Sequence, residues 1–208
     1  MKNIELILSI LQKTYPDAGC ELNYQTPFQL LIATMLSAQA TDKSVNKLTA
    51  SLFEEYPEID DFLKMSQKEI EEKIRKIGLY RNKSKNIYHL CRVLKTAFDG
   101  EVPSNEEDLM SLPGVGRKTA SVVLAEAFKI PAIAVDTHVF RVTRRLGLTS
   151  AQTPDKVSNE LMKRIDKNWW IKAHHLFIFH GRRMCKARKP MCEVCPVEKE
   201  CEKIGLAS

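Results

Sequence analysis

A chain of 208 residues is long enough to bury a substantial core without covalent staples, as one large domain or two small ones. No apolar run approaches the roughly 20 residues that span a bilayer, and the opening MKNIELILSILQKTYPD, broken by Glu5 and without a small-residue cleavage site, reads as an amphipathic helix rather than a signal peptide and predicts a cytoplasmic chain. The net charge of +6 is concentrated: Thr137 to Cys192 holds 13 cations against three carboxylates, which suits a polyanion better than solubility alone, with a solvated basic face as the plainer reading.

In chain order, nearly every segment predicts helix. The amphipathic start predicts a first helix. Thr26-Pro27 opens FQLLIATML, Thr41 precedes DKSVNKLTASLFEEY, and Ser66 with Glu69 forms a capping box before IEEKIRKI, with Gly78 as its stop. Asn82 is the expected cap of KSKNIYHLCRVLKTAF, Ser104 with Glu107 makes a second box, and Thr153-Pro154 opens DKVSNELMKRI. AIAVDT alternates only weakly and has no partner of similar character, so it predicts an extended connection into the helix DTHVFRVTRRLGL. The fold class is all-α, about ten helices joined by short turns, with no domain boundary visible in the composition. Trp169 and Trp170 read as core and rim of a helix start, and His174, His175 and His180 as packing or phosphate contacts.

Between the helices NEEDLMSL and RKTASVVLAEAF only Pro113, Gly114, Val115 and Gly116 remain for a turn. Glycine permits positive φ and close backbone approach, proline preorganises the bend, and the uncovered amides at the start of the next helix suit a phosphate. Such a helix-hairpin-helix grips a nucleic-acid backbone without reading bases. A tight structural turn is the alternative, and Arg117 at the helix start together with the basic stretch downstream favours the nucleic-acid reading.

Lys118 is the candidate nucleophile. A lysine exposed to water is protonated near neutral pH, whereas one in the first turn of a helix faces the positive end of the dipole, and partial burial would further favour the neutral amine. A neutral amine can attack a sugar carbon and form a Schiff base. Asp136 follows the apolar Ile133, Ala134 and Val135 and stands where a helix begins. It reads as an N-cap, as a carboxylate that offsets positive charge developing on a sugar ring, or as both.

Six cysteines divide unevenly. Cys20 and Cys91 stand alone and read as small core residues. Cys185, Cys192, Cys195 and Cys201 crowd within 17 residues, which in a cytoplasmic chain points to a metal. Tetrahedral zinc and a [4Fe-4S] cluster both accept four thiolates. The loop inside the first gap, KARKPM, carries Lys186, Arg188 and Lys189, a basic contact for a phosphate backbone once a metal pins it.

Together these residues resemble the endonuclease III family of DNA glycosylases, within the helix-hairpin-helix superfamily. The likeness runs through LSAQATDKSVNK, IGLYRNKSKNI, GEVP, LPGVGRKTASVVL, AVDTHVFRV, HHLFIFHGRRMC and the full cysteine spacing, almost the whole chain. It implies Lys118 and Asp136 as catalytic residues and the four cysteines as ligands of a [4Fe-4S] cluster. It implies that Gln39 and Leu79 enter the duplex, while the hairpin and loop readings above make Gly114, Val115, Gly116, Arg117, Lys186, Arg188 and Lys189 the other expected DNA contacts. The implied architecture is a six-helix barrel over 22–132, with the hairpin at about 105–128, beside a second helical domain made of 1–21 and 133–208, with the active cleft between them.

The activity implied is base excision by a monomer. Double-stranded DNA with a damaged base or abasic site is its partner, an oxidised pyrimidine is released, and the strand is nicked by β-elimination. An adenine-type glycosylase that uses water, or a non-catalytic DNA-binding module, are the rival readings. Lys118 speaks against the first, since that relative is expected to lack it.

Overall fold

The computed structural model describes residues 3–206, and among them every regular element is helical. The chain opens with α1 (Ile4–Thr14), α2 (Pro27–Ser37), α3 (Asp42–Glu55) and α4 (Ile59–Lys64). It continues with α5 (Gln67–Ile74), α6 (Tyr80–Ala97), α7 (Glu106–Ser111) and α8 (Arg117–Ala127). The last helices are α9 (Thr137–Arg145), α10 (Pro154–Arg164) and α11 (Trp170–Arg183), followed by two short 3-10 turns in the cysteine region. The chain divides into two compact units, Glu21–Ile130 and the combination of Met1–Cys20 with Pro131–Ser208.

The Glu21–Ile130 unit is built around α2. Thr26 caps this helix by accepting from the Gln29 amide at 3.2 Å, and Pro27 supplies a preset φ at its first position. Every residue from Phe28 to Leu36 is buried, as expected for a helix apolar on all sides. α3, α6 and α8 pack against it, while α5 lies on α6 and α7 on α8. Phe62 meets Phe28 edge to face at 5.3 Å, inside a core that also contains Leu31, Ile70, Ile87 and the buried Cys91.

Three expected boundaries shift. α5 stops at Ile74 instead of Gly78, because a further turn, closed by the Ile77 amide on the Ile74 carbonyl at 2.9 Å, carries Ile77 into the core. α6 starts before Asn82: Leu79, in a left-handed conformation, is its N-cap, and Asn82 lies exposed within the helix. α7 is capped by Asn105, which accepts from the Asp108 amide at 2.9 Å, one residue after Ser104.

The other unit has its own core, where α11 packs against α9 and α1. Residues 131–136 lie outside any helix, Asp136 at their end has an extended backbone, and Ile133 and Ala134 are buried. Two side chains satisfy that segment's carbonyls: the Ser158 hydroxyl donates to Ile133 O at 2.8 Å, and His174 Nδ1 lies 2.7 Å from Ala134 O. His174, His175 and His180 are all buried, which makes them packing residues and removes the phosphate alternative. Trp170 starts α11 and donates its indole N–H to Ile165 O at 2.9 Å.

The hairpin between α7 and α8 closes with the Val115 amide on Leu112 O at 3.1 Å, and both side chains are buried. Gly114 has φ +78°, and a Cβ there would stand 2.6–2.9 Å from atoms of the Asn86 side chain on α6. Gly116 has an ordinary negative φ, and a Cβ there would meet nothing within 4 Å. Gly114→Ala should therefore cost about 2 kcal/mol or more, and Gly116→Ala less than about 1 kcal/mol. Denaturant midpoints of the two variants check this, and equal losses would contradict it.

Candidate functional site

Lys118 sits on the first turn of α8, one residue inside the helix, and its side chain is exposed. Within its own unit, the helix start is the feature next to it. Gly116 is the N-cap and offers no side chain to the first amides of α8, so these remain without a side-chain cap. Arg117 is directed to Glu106, donating from Nε to Oε1 at 2.9 Å, which ties the start of α8 to the start of α7. Val115 faces inward, and its amide is used in the turn. The outer surface of the hairpin is thus backbone at Gly114 and Gly116 and the side chain of Lys118.

Gln39 and Leu79 lie in the same unit, each in a loop that runs between helices. Both adopt positive φ, 56° and 61°, a conformation that side chains with a Cβ adopt only at a cost of about 1–2 kcal/mol. Leu79 is 53% exposed, an unusual state for leucine, and Gln39 is exposed too. Core packing for Leu79 is thereby excluded. Backbone strain combined with an exposed side chain marks candidate contact residues.

Asp136 belongs to the other unit and is the N-cap of α9. A single oxygen, Oδ1, accepts from the amides of His138 and Val139, each at 2.8 Å, so Oδ2 is left out of the cap. The carboxylate can therefore hold the helix and present an oxygen at once. Burial holds the neighbouring His138 below the ordinary imidazole pKa, partly offset by the Asp136 charge, which favours a neutral ring beside the carboxylate.

The same helix reaches the cysteine region. Arg141 donates from Nε to Cys185 O at 3.1 Å and from Nη2 to Gly181 O at 2.9 Å. One turn on, Arg145 donates to Lys186 O at 2.7 Å, to Ala187 O at 3.0 Å and towards the Cys185 sulfur at 3.5 Å. These two arginines, counted among the basic stretch in the sequence, are spent on holding the loop. Sequence spacing gave no sign of that, because their partners are carbonyls about 40 residues away. Lys186, Arg188 and Lys189 are exposed on the loop so held.

Cys185, Cys192, Cys195 and Cys201 line one cavity of about 380 Å³, open mouth included, together with His180, Met184 and Leu146. None of the four is joined in a disulfide. Among the described residues no three His, Cys, Asp or Glu side chains are gathered for a single ion, and the thiols stand around the cavity wall instead. Tyr15 OH meets His180 Nδ1 at 3.0 Å, while Nε2 of the same ring lies 3.7 Å from the Cys195 sulfur. Burial pushes the His180 pKa down to about 4, which keeps the ring neutral.

The chain is similar to known proteins in both sequence and fold. A family model for HhH-GPD superfamily base excision DNA repair proteins matches residues 32–167. An endonuclease III from Synechocystis is 52% identical, the match covering 94% of this chain and 90% of that protein. Two solved structures each superpose with a TM-score of 0.92 at 50% identity, covering 96% of this chain and 94% of theirs. One is a non-covalent endonuclease III–DNA complex, the other a trapped endonuclease III–DNA covalent intermediate with an estranged adenine. No described helix is long and apolar enough to cross a membrane. The chain belongs to the endonuclease III family, within the HhH-GPD superfamily of base excision DNA repair proteins.

Proposed function

We propose that this chain is a bifunctional DNA glycosylase and abasic-site lyase that removes oxidised pyrimidines from duplex DNA. The observation that carries the reading is the 50% identity, over nearly the whole chain, to an endonuclease III caught as a covalent DNA intermediate. The place of Lys118 in the first turn of α8, beside helix-start amides with no side-chain cap, supports it.

C1′ of a stacked nucleotide is out of reach, so the damaged nucleotide must first leave the helix, at a cost of a few kcal/mol that damage reduces. The backbone of Gly114 and Gly116 and the first amides of α8 take a phosphate, with Lys186, Arg188 and Lys189 as further cationic contacts. Leu79 wedges into the base stack, and Gln39, with an amide donor and acceptor, meets the base left without a partner. The estranged adenine of the solved covalent intermediate is such a base in that relative. Lys118 Nζ, as the neutral amine, then bonds to C1′ as the glycosidic bond breaks, the departing base keeping the bonding pair and taking up the proton that Nζ sheds. Asp136 offsets the positive charge on the sugar. The ring opens to an imine, and loss of a C2′ proton expels the 3′ phosphate, which nicks the strand.

Four thiols around one cavity fit a [4Fe-4S] cluster, whose separate irons each take one thiolate. Cys185, Cys192, Cys195 and Cys201 would hold it. When bound it supplies a structural tie that makes the 186–191 loop rigid. The chain's own contribution is the pair Arg141 and Arg145, which fix the backbone of that loop from α9.

Borohydride added during reaction with lesion-bearing duplex should trap a covalent adduct mapping to Lys118. Lys118→Gln should abolish the adduct and leave DNA affinity within about threefold, since one charge of a multi-contact interface is lost. Absence of an adduct in the unsubstituted protein would overturn the lyase half.

Asp136→Asn separates its two roles, because asparagine caps helices about as well as aspartate. Base release should slow by about 100- to 1,000-fold with the melting temperature nearly unchanged. A near-normal rate would remove the carboxylate from the chemistry.

Purified protein should be brown, with broad visible absorbance and about four irons per chain. Cys195→Ser should bleach it, while a colourless protein containing zinc would replace this assignment.

A further inference from the structure

We infer that Lys83 is a positioning residue for Gln39: its ammonium fixes the peptide between Ala38 and Gln39 and thereby presets the side chain that meets the unpaired base. The inference rests on the reading of Gln39 given above.

The chain leaves α2 through a tight turn. Ala38 has φ −57° and ψ 117°, Gln39 has φ 56°, and the Ala40 amide closes on Ser37 O at 3.0 Å. Those angles define a type II turn, whose third position calls for glycine because its φ is positive. Here that position is Gln39. A type I turn would reverse the central peptide, swing the Ala38 carbonyl to the opposite side and return Gln39 to negative φ. Which turn forms is therefore decided by what the Ala38 carbonyl is bonded to.

It is bonded to Lys83. Nζ donates to Ala38 O at 2.6 Å and to Leu36 O at 2.9 Å. Lys83 is 6% exposed, and among the described residues no carboxylate lies within ion-pair distance of it, an expensive state for an ammonium. Burial lowers its pKa. The backbone of the same residue reaches the second strained position, since the Lys83 amide donates to Leu79 O at 3.0 Å. One residue thus bonds beside both candidate duplex contacts.

Other positive-φ residues in this unit are of a different kind. Asp99 and Lys129 lie just past helix ends and are bridged by bonds between residues six positions apart, Gly100 N to Leu94 O and Ile130 N to Leu124 O, both at 2.9 Å, so each is a left-handed residue that closes a helix. Gln39 stops no helix in that way and has a buried cation assigned to its flanking carbonyl.

The test uses single-turnover base release from a lesion duplex, and nicking of an abasic site in single-stranded DNA, where no opposite base exists. Lys83→Met should slow release from the duplex by about 10- to 100-fold, the scale of a lost hydrogen bond from a charged donor. Nicking of the single strand should stay within about twofold, because Lys83 acts through Gln39 and not on the sugar. Combined with Gln39→Ala, Lys83→Met should add no further loss. A normal duplex rate for Lys83→Met beside a slow Gln39→Ala overturns the inference, and so do losses that multiply in the double variant. If Gln39→Ala alone is as fast as the unsubstituted protein, the reading of Gln39 fails first, and it does so with Lys83 intact. Should Lys83→Met not melt cooperatively, Lys83→Gln replaces it, with the same pattern expected at smaller size and the same results overturning it.

Discussion

Burial of α2 on every side is the constraint from which the Glu21–Ile130 unit follows. A helix inside a core cannot hand its last carbonyls to water, so its C-terminal end must be satisfied by protein groups. Lys83 does this with a charged donor from α6, and the turn that carries Gln39 begins where that bond is made. The stability of the core and the presentation of an exposed polar side chain are thus settled at one place. The hairpin shows the same economy: Leu112 and Val115 are core residues, and the glycines between and after them form the outer surface.

In the Pro131–Ser208 segment, α9 joins two chemistries. Its N-terminal end is capped by the Asp136 carboxylate, and its following turns supply the arginines that grasp the Cys185 loop. A rigid helix is a good carrier for both, since a shift of the carboxylate and a shift of the loop then have to occur together. The basic charge of this stretch divides accordingly: Arg141 and Arg145 face backbone carbonyls, and Lys186, Arg188 and Lys189 remain on the surface for a polyanion.

Much of this was legible in the residues. Thr26, Thr41 and the Ser66–Glu69 box announced their helices because capping is a local interaction, and each makes the expected bond. The helix-free run before Asp136 and the cysteine crowding were equally local. The start of α6 was misjudged because Leu79 is no cap by side-chain chemistry; its left-handed backbone does that work. Lys83 was invisible for another reason. Its partners are carbonyls more than 40 residues earlier, and a lysine on a helix otherwise reads as solvated. The exposure of Lys118 and Leu79 also required coordinates, since a sequence pattern cannot tell a surface leucine from a core one.

The discontinuous unit sets an order on synthesis. Tyr15 bonds to His180, Ala18 to Lys172 and Asp17 to Arg183, pairs separated by 165, 154 and 166 positions. At about 5–20 residues added per second, α1 leaves the ribosome on the order of ten seconds or more before the helix it packs against exists. Its apolar stripe, Ile4, Ile7, Leu8 and Leu11, is uncovered throughout that interval. The intervening Glu21–Ile130 unit contains all of its own core and can condense meanwhile, which shortens the gap the nascent termini must bridge.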